Sequence, residues 1–468
     1  MVLLGCLIWC CGWPSVATAG ETETDSTRLL RLGRIIISGN KVTLRRIIER
    51  ELTLQAGDTI RRSGIDDMLK GDERRLYNLR LFNRIELTPL FLDESSFDLL
   101  VEVVERWYTY PAPIFELSDR NFNEWWQNYR HDFSRVNYGL RLFQYNFRGR
   151  NETLRLTARL GFSERLDLYY KIPNLTRNQK HGLLFEFIWA KPKNLAYRTE
   201  DHILTFLKDR EVLRDHLDAN VTYTFRPSFY QTHSFSIGHK ATGIADTVLR
   251  LNPDYLGGRH NQRYSSIGYT FIAEHRDVIA YPLRGYQVTA SIQRSGIGGV
   301  DDVGFTNLWG SFAGHTPWSE NLFFSWYSAL SVSLPSGQPY NLYQGVGYRR
   351  QYLRGYEVYV IEGPFFNLNK VTLKTRLLNR EWNSGLPWEQ FRTLPLAVYL
   401  KLFADGGVIE NYPSYESSGL NTRLTGRPLA GYGLGLDVVG YYDSVIRFEY
   451  TFTNQGNRGF FLHIRKEF

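Results

Sequence analysis

From Trp107 to the end of the chain, apolar and polar residues alternate with a period of two, which restricts the fold more than any other feature. In residues 153–162, Leu154, Leu156, Ala158, Leu160 and Phe162 share one face, while Thr153, Arg155, Thr157 and Arg159 share the other. Residues 444–453 repeat the arrangement, with Ile446, Phe448, Tyr450 and Phe452 set against Arg447, Glu449 and Thr451. Strand side chains point alternately to two faces, so each such segment has one apolar face along its whole length. A soluble sheet with one solvated face alternates in the same way. Persistence separates the two cases: the strands recur to the last residue, with no helical pattern and no linker between them.

Composition points the same way. Of 468 residues, 40 are Gly, 30 Tyr and 29 Phe, yet the mean hydropathy is −0.34. After the N-terminus no charge-free apolar run is long enough for a spanning helix. A chain rich in aromatics and glycine but polar on average fits a transmembrane β-barrel. The net charge of +8 is dispersed through the strands. A nucleic-acid footprint would be a concentrated basic patch with a recognisable motif, so nucleic acid is not expected as a partner. A polar lumen and loops facing anionic lipid headgroups absorb such charge, which makes outer-membrane lipids the expected surroundings.

The first residues form an apolar segment followed by Ala17-Thr18-Ala19, a small-x-small cleavage pattern, so residues 1–19 are expected to be a signal peptide. Cys6, Cys10 and Cys11 all lie within it, which leaves no disulfide framework after cleavage. Leu4-Gly5-Cys6 has the form of a lipoprotein acylation site, but too little apolar sequence precedes it. No Lys or Arg precedes the apolar core, which leaves open a true start upstream of Met1.

Residues 30–106 read as a separate module. A β-branched strand (residues 33–38) is closed by Gly39-Asn40. Thr43 is placed to cap a helix with Ile47, Ile48, Leu52 and Leu54 on one face, and Gly57-Asp58 ends it. Ser63 opens a second helix with Ile65, Met68, Leu69, Leu76 and Leu79 on one side. Two alternating strands follow, carrying Ile85 and Leu87, then Phe97, Leu99, Val101 and Val103. The order β-α-α-β-β, with the phrases IIISGN, AGD, LYNLRLF and DLLVEVVER, resembles a POTRA domain, the periplasmic module of barrel-assembly proteins.

Residues 107–468 remain for the barrel. At roughly 9–11 residues per membrane strand and an even strand number, about 16 strands fit, with connections long on one side and short on the other. The last strand has Phe460, Leu462, Ile464, Lys466 and Phe468 on one face. It resembles the C-terminal sorting strand of bacterial outer-membrane barrels, with Lys466 as a departure that can snorkel to the interface.

Two motifs sharpen the resemblance. Leu353-Arg354-Gly355-Tyr356 lies in residues 348–364, and Phe403-Ala404-Asp405-Gly406-Gly407 follows some fifty residues later. Together they resemble the [V/I]-R-G-[F/Y] and F-x-D-x-G motifs of the BamA/TamA-like superfamily. In that family the arginine tips the sixth extracellular loop, which folds into the lumen and meets the aspartate. The resemblance therefore implies a loop-to-lumen motif of Leu353, Arg354, Gly355 and Tyr356. Its lumen partners would be Phe403, Asp405 and Gly407. Alternation independently puts Tyr399, Lys401, Phe403 and Asp405 on one face. Residues 274–288, with Glu274 at an acidic position, and residues 165–175, ending in Pro-x-Leu, match further family patterns. Two departures stand out: one POTRA precedes the barrel where relatives carry two to five or more, and Lys374 occupies a position where a glutamate is usual.

The sequence shows neither metal-ligand spacing of His or Cys nor a dinucleotide loop. Gly431, Gly433 and Gly435 lack a strand-turn-helix context and fit the relief of crowding in a curved strand. No catalytic residue, metal or cofactor is expected, and the chain is not expected to be an enzyme. By resemblance, it is expected to insert or export other outer-membrane proteins from the outer membrane, with its POTRA in the periplasm. Unfolded outer-membrane clients and periplasmic or lipoprotein subunits are the partners this implies. A passive pore or two-partner secretion channel is the alternative.

Overall fold

The computed structural model describes residues 28–117, 136–348, 351–387 and 392–466. The N-terminal module contains β1 (Leu29–Ser38), α1 (Arg45–Glu49), β2 (Thr59–Arg61), α2 (Ile65–Asn78), β3 (Phe82–Phe91) and β4 (Ser96–Glu105). Its sheet runs β2-β1-β4-β3, with β1 parallel to β4 and the other pairs antiparallel. Ile47 and Ile48 of α1, Leu69 and Leu76 of α2, and Phe97 and Val101 of β4 bury one shared core. Burying a side chain of this size stabilises by roughly 1.5–3 kcal/mol, so the two helices are held by their apolar faces more than by propensity.

Three details correct the sequence expectation. The short edge strand β2 makes the order β-α-β-α-β-β, because Thr59–Arg61 pairs with Leu29–Arg31 where the sequence shows only a post-helical turn. Thr43 does not cap α1: its hydroxyl donates to Glu105 at 2.5 Å, and Leu44 takes the N-cap position. Ser63 lies in a single 3-10 turn (Arg62–Gly64), and α2 begins after Gly64.

Beyond Tyr108 the chain forms a 16-stranded antiparallel meander, from Thr109–Leu117 through to Arg458–Lys466, each strand paired with its neighbours in the wall. Outward-facing positions are large, apolar and uncovered, among them Leu160, Ile237, Leu402, Leu434 and Phe460. Inward positions carry the polar residues, among them Arg155, Lys401 and Asp405, alongside aromatic rings such as Phe403. The longest connections between wall strands, residues 192–213, 335–364 and 410–428, all lie on the side away from the N-terminal module, although residues 162–163 and 454–457 make short turns there. The far side is not free of helices, however: Asp246–Leu251 and Pro413–Ser418 are helical, and the hairpin Asn194–Glu200/Ile203–Lys208 projects from the wall. Among the described residues, the first and last barrel strands share no ladder.

The N-terminal module lies across the near mouth and is tied to several of its turns. Arg106 pairs with Asp443 at 2.9 Å, and the Tyr77 hydroxyl donates to the same carboxylate at 2.9 Å. Burial, with Asp443 adding to it, pushes the Tyr77 hydroxyl up to about 12. The Asn78 side chain donates to the Asp277 carbonyl and accepts from the Ile279 amide, both at 3.0 Å. Arg226 reaches Glu51 at 2.8 Å, and the Leu44 amide donates to the Gly149 carbonyl at 2.9 Å. Arg106 and Asp443 are both buried, so Arg106→Ala should weaken this docking by about 3 kcal/mol. Limited proteolysis should then cut faster around residues 106–109, while the barrel keeps its heat-modifiable gel mobility.

Candidate functional site: an arginine-tipped loop in the barrel lumen

The long connection between the strands Leu322–Leu334 and Phe365–Asn383 turns back into the barrel. Its tip is Leu353-Arg354-Gly355-Tyr356, and all four residues are buried. On the strand Thr393–Ile409, Tyr399, Lys401, Phe403 and Asp405 face inward and are buried, while Leu400 and Leu402 between them are exposed on the outer face. The tip and this inward face meet. Arg354 Nε lies 2.9 and 3.0 Å from the two Asp405 oxygens, a second guanidinium nitrogen also binds Asp405, and the Arg354 amide donates to Oδ2 at 3.1 Å. The guanidinium stands 4.0 Å above the Phe403 ring and donates to Thr372 Oγ1 at 3.1 Å. Forked, charge-assisted bonds of this kind are the strongest that Arg makes with a carboxylate.

The remaining predicted residues take defined places. Gly355 has φ +91, and a Cβ there would lie 2.6 Å from Thr453 Cγ2, so only glycine turns the tip without strain. The Tyr356 hydroxyl donates to Asn454 at 2.7 Å. Leu353 packs with Leu368, Ile409 and Leu429 in an apolar cluster within the lumen. A Cβ on Gly407 would meet Leu368 Cδ2 at 2.7 Å, beside Leu353. In the last strand, Phe460 and Leu462 are exposed on the outer face. The Ile464 side chain and Phe468 lie outside the described residues.

Sequence reasoning named several neighbours of the tip without finding what they touch. The backbone of Gly431 is directly against the tip: a Cβ there would lie 1.8 Å from the Arg354 carbonyl oxygen. Gly433 and Gly435 similarly make room for Phe403 and Lys401. The sequence marked these glycines as relief of crowding in a curved strand, but not what occupies the space. Lys401 Nζ lies 2.8 Å from Glu449 and also pairs with Asp437, which receives the Tyr281 hydroxyl at 2.9 Å. Lys374 joins this layer, donating to the Pro282 carbonyl at 3.3 Å and lying 4.5 Å over Tyr281. Glu274 grips Arg276 through both oxygens, at 2.7 and 2.6 Å.

Above the tip, the far-side connections interlock. Tyr343 and Tyr412 stack with centroids 3.7 Å apart. Glu362 is buried among tyrosines, accepting from Tyr415 at 2.7 Å and from Tyr348, and burial raises its carboxyl above the usual range. His202, with φ +62, accepts from the Leu424 amide at 3.0 Å, and its own carbonyl accepts from the Val360 amide at 2.8 Å. Burial lowers the His202 imidazole to about 4, so it stays neutral in this position.

The POTRA family, described as a surface antigen variable number repeat, matches residues 30–106. This module is a POTRA domain. The structure also resembles BamA from Haemophilus ducreyi lacking POTRA domains 1–3, with TM-score 0.51, 14% identity, and coverage of 93% of this chain and 84% of that one. CdiB from Escherichia coli matches with TM-score 0.52 and 10% identity, over 93% of this chain and 75% of that one. A comparison with curated proteins by sequence found no match. The fold is that of a BamA-like barrel carrying a POTRA domain.

Proposed function

We propose that the chain is an outer-membrane assembly or export factor whose POTRA domain lies in the periplasm. The observation that carries this reading is the buried Arg354–Asp405 contact, which seats a long loop inside a barrel whose first and last strands share no ladder among the described residues. A passive conduit gains nothing from a loop fixed in its lumen by a buried ion pair, whereas an exposed strand edge offers backbone groups to an incoming strand. The short β2 leaves much of the β1 edge for the same use, so the POTRA domain would receive unfolded client segments by strand addition. The seated loop would keep the lumen blocked and the wall in register while the seam opens. No cofactor and no catalytic residue enters this mechanism, and periplasmic or lipoprotein subunits would dock on the POTRA side.

Depletion followed by quantitative outer-membrane proteomics tests the proposal. Several barrel proteins should fall together while lipoproteins stay level. Loss of one exported protein with unchanged barrels would instead identify a two-partner secretion channel. High steady conductance of the wild-type protein in planar bilayers would identify a passive pore.

A further inference from the structure

Beside the Arg354–Asp405 contact, three donor atoms converge from distant parts of the chain. They are Glu357 Oε1 on the loop, Glu449 Oε2 on the strand Ser444–Thr453, and His463 Nε2 on the last strand, all within 4.8 Å of one another. His463 Nε2 lies 3.3 Å from Glu449 and 3.7 Å from Glu357. Each of the three atoms is buried without a hydrogen-bond partner.

The other oxygen of each carboxylate is occupied. Glu357 Oε2 accepts from the Gly355 amide at 2.7 Å, and Glu449 Oε1 lies 2.8 Å from Lys401 Nζ. Outer partners that fix one oxygen and aim the other are a recurring feature of metal centres. The His463 ring is held by stacking on Tyr352, with centroids 5.2 Å apart.

We propose that Glu357, Glu449 and His463 bind a divalent transition-metal ion of the zinc class, which staples the folded-back loop to the last barrel strand. Metal–ligand bonds of about 2.0–2.1 Å place tetrahedral donors about 3.4 Å apart, the spacing found between His463 and the two carboxylates. Two carboxylates and one imidazole form a three-ligand set that leaves a fourth position for water. Sequence spacing hides the site, since five strands lie between Glu357 and the strand that carries His463, and no two ligands share an element.

The test uses the purified full-length protein in detergent, with Zn2+ as the probe and a chromophoric chelator as competitor. One Zn2+ should bind per chain. His463→Ala and Glu357→Gln should each weaken binding at least tenfold while the heat-modifiable folded band is retained. Glu357→Gln keeps an acceptor for the Gly355 amide, so it removes a ligand without unseating the loop. Zn2+ should also slow proteolysis of residues 335–364 in the wild type but not in His463→Ala. Absence of stoichiometric binding would overturn the proposal and leave the cluster as an imidazolium bridging two carboxylates. Equal binding by wild type and His463→Ala would overturn it as well, by placing the ion elsewhere. Neither outcome bears on client assembly, which the depletion experiment tests separately.

Discussion

Replacing Arg354 with alanine should release the loop from the lumen while leaving membrane insertion of the chain intact. Asp405 would then remain fully buried with no guanidinium, and breaking a buried pair from one side costs about 3–5 kcal/mol. The wall ladders on either side of Asp405 do not depend on the loop, so the folded band in heat-modifiable gels should persist. Protease sites in residues 335–364 should become accessible. Arg354→Lys should recover little, because an ammonium cannot reproduce the forked contact or lie flat over Phe403. Combining Arg354→Asp with Asp405→Arg should restore part of the protection. Wild-type protection and activity in Arg354→Ala would show that the contact does not hold the loop.

Gly431→Val should unseat the same loop with every charge still in place. The added Cβ would meet the Arg354 carbonyl oxygen at 1.8 Å and its carbonyl carbon at 3.0 Å. Both are backbone atoms of a tip already fixed by Asp405, so the clash cannot be relieved by a side-chain rotation. Overpacking ordinarily costs roughly 1–3 kcal/mol, and a backbone clash lies at or above the upper end. Single-channel conductance should rise several-fold in this variant, in step with proteolysis of the loop. Unchanged conductance and protection would mean that the Arg354 backbone does not lie against the strand Leu429–Val439.

What the sequence makes legible here follows from period and motif. Alternation identifies the wall because each strand has lipid on one side and water on the other, so Leu402 and Lys401 must differ in kind. The Arg354–Asp405 contact is legible only through family resemblance, since nothing local in either motif specifies a partner fifty residues away. The strand β2 escapes notice because three residues carry no usable period. Thr43 has the residue type of a helix cap, but Glu105, brought near by the β4 terminus, competes successfully for its hydroxyl. The interlocked tyrosines of the far side, Tyr343 and Tyr412 among them, sit in loops whose mutual placement only the folded wall defines. Gly431 reads as a strand glycine until the loop is seen to occupy the space its missing side chain leaves.

The assembly reading is tested most directly by reconstituting the purified protein in liposomes, adding a urea-unfolded outer-membrane barrel protein, and following the client's heat-modifiable folded band over time. Wild-type vesicles should fold the client several-fold faster than empty vesicles, and vesicles carrying Arg354→Ala should lose most of that acceleration. Client folding at the same rate in wild-type and empty vesicles, together with a steadily conducting wild-type barrel, would contradict the assembly role.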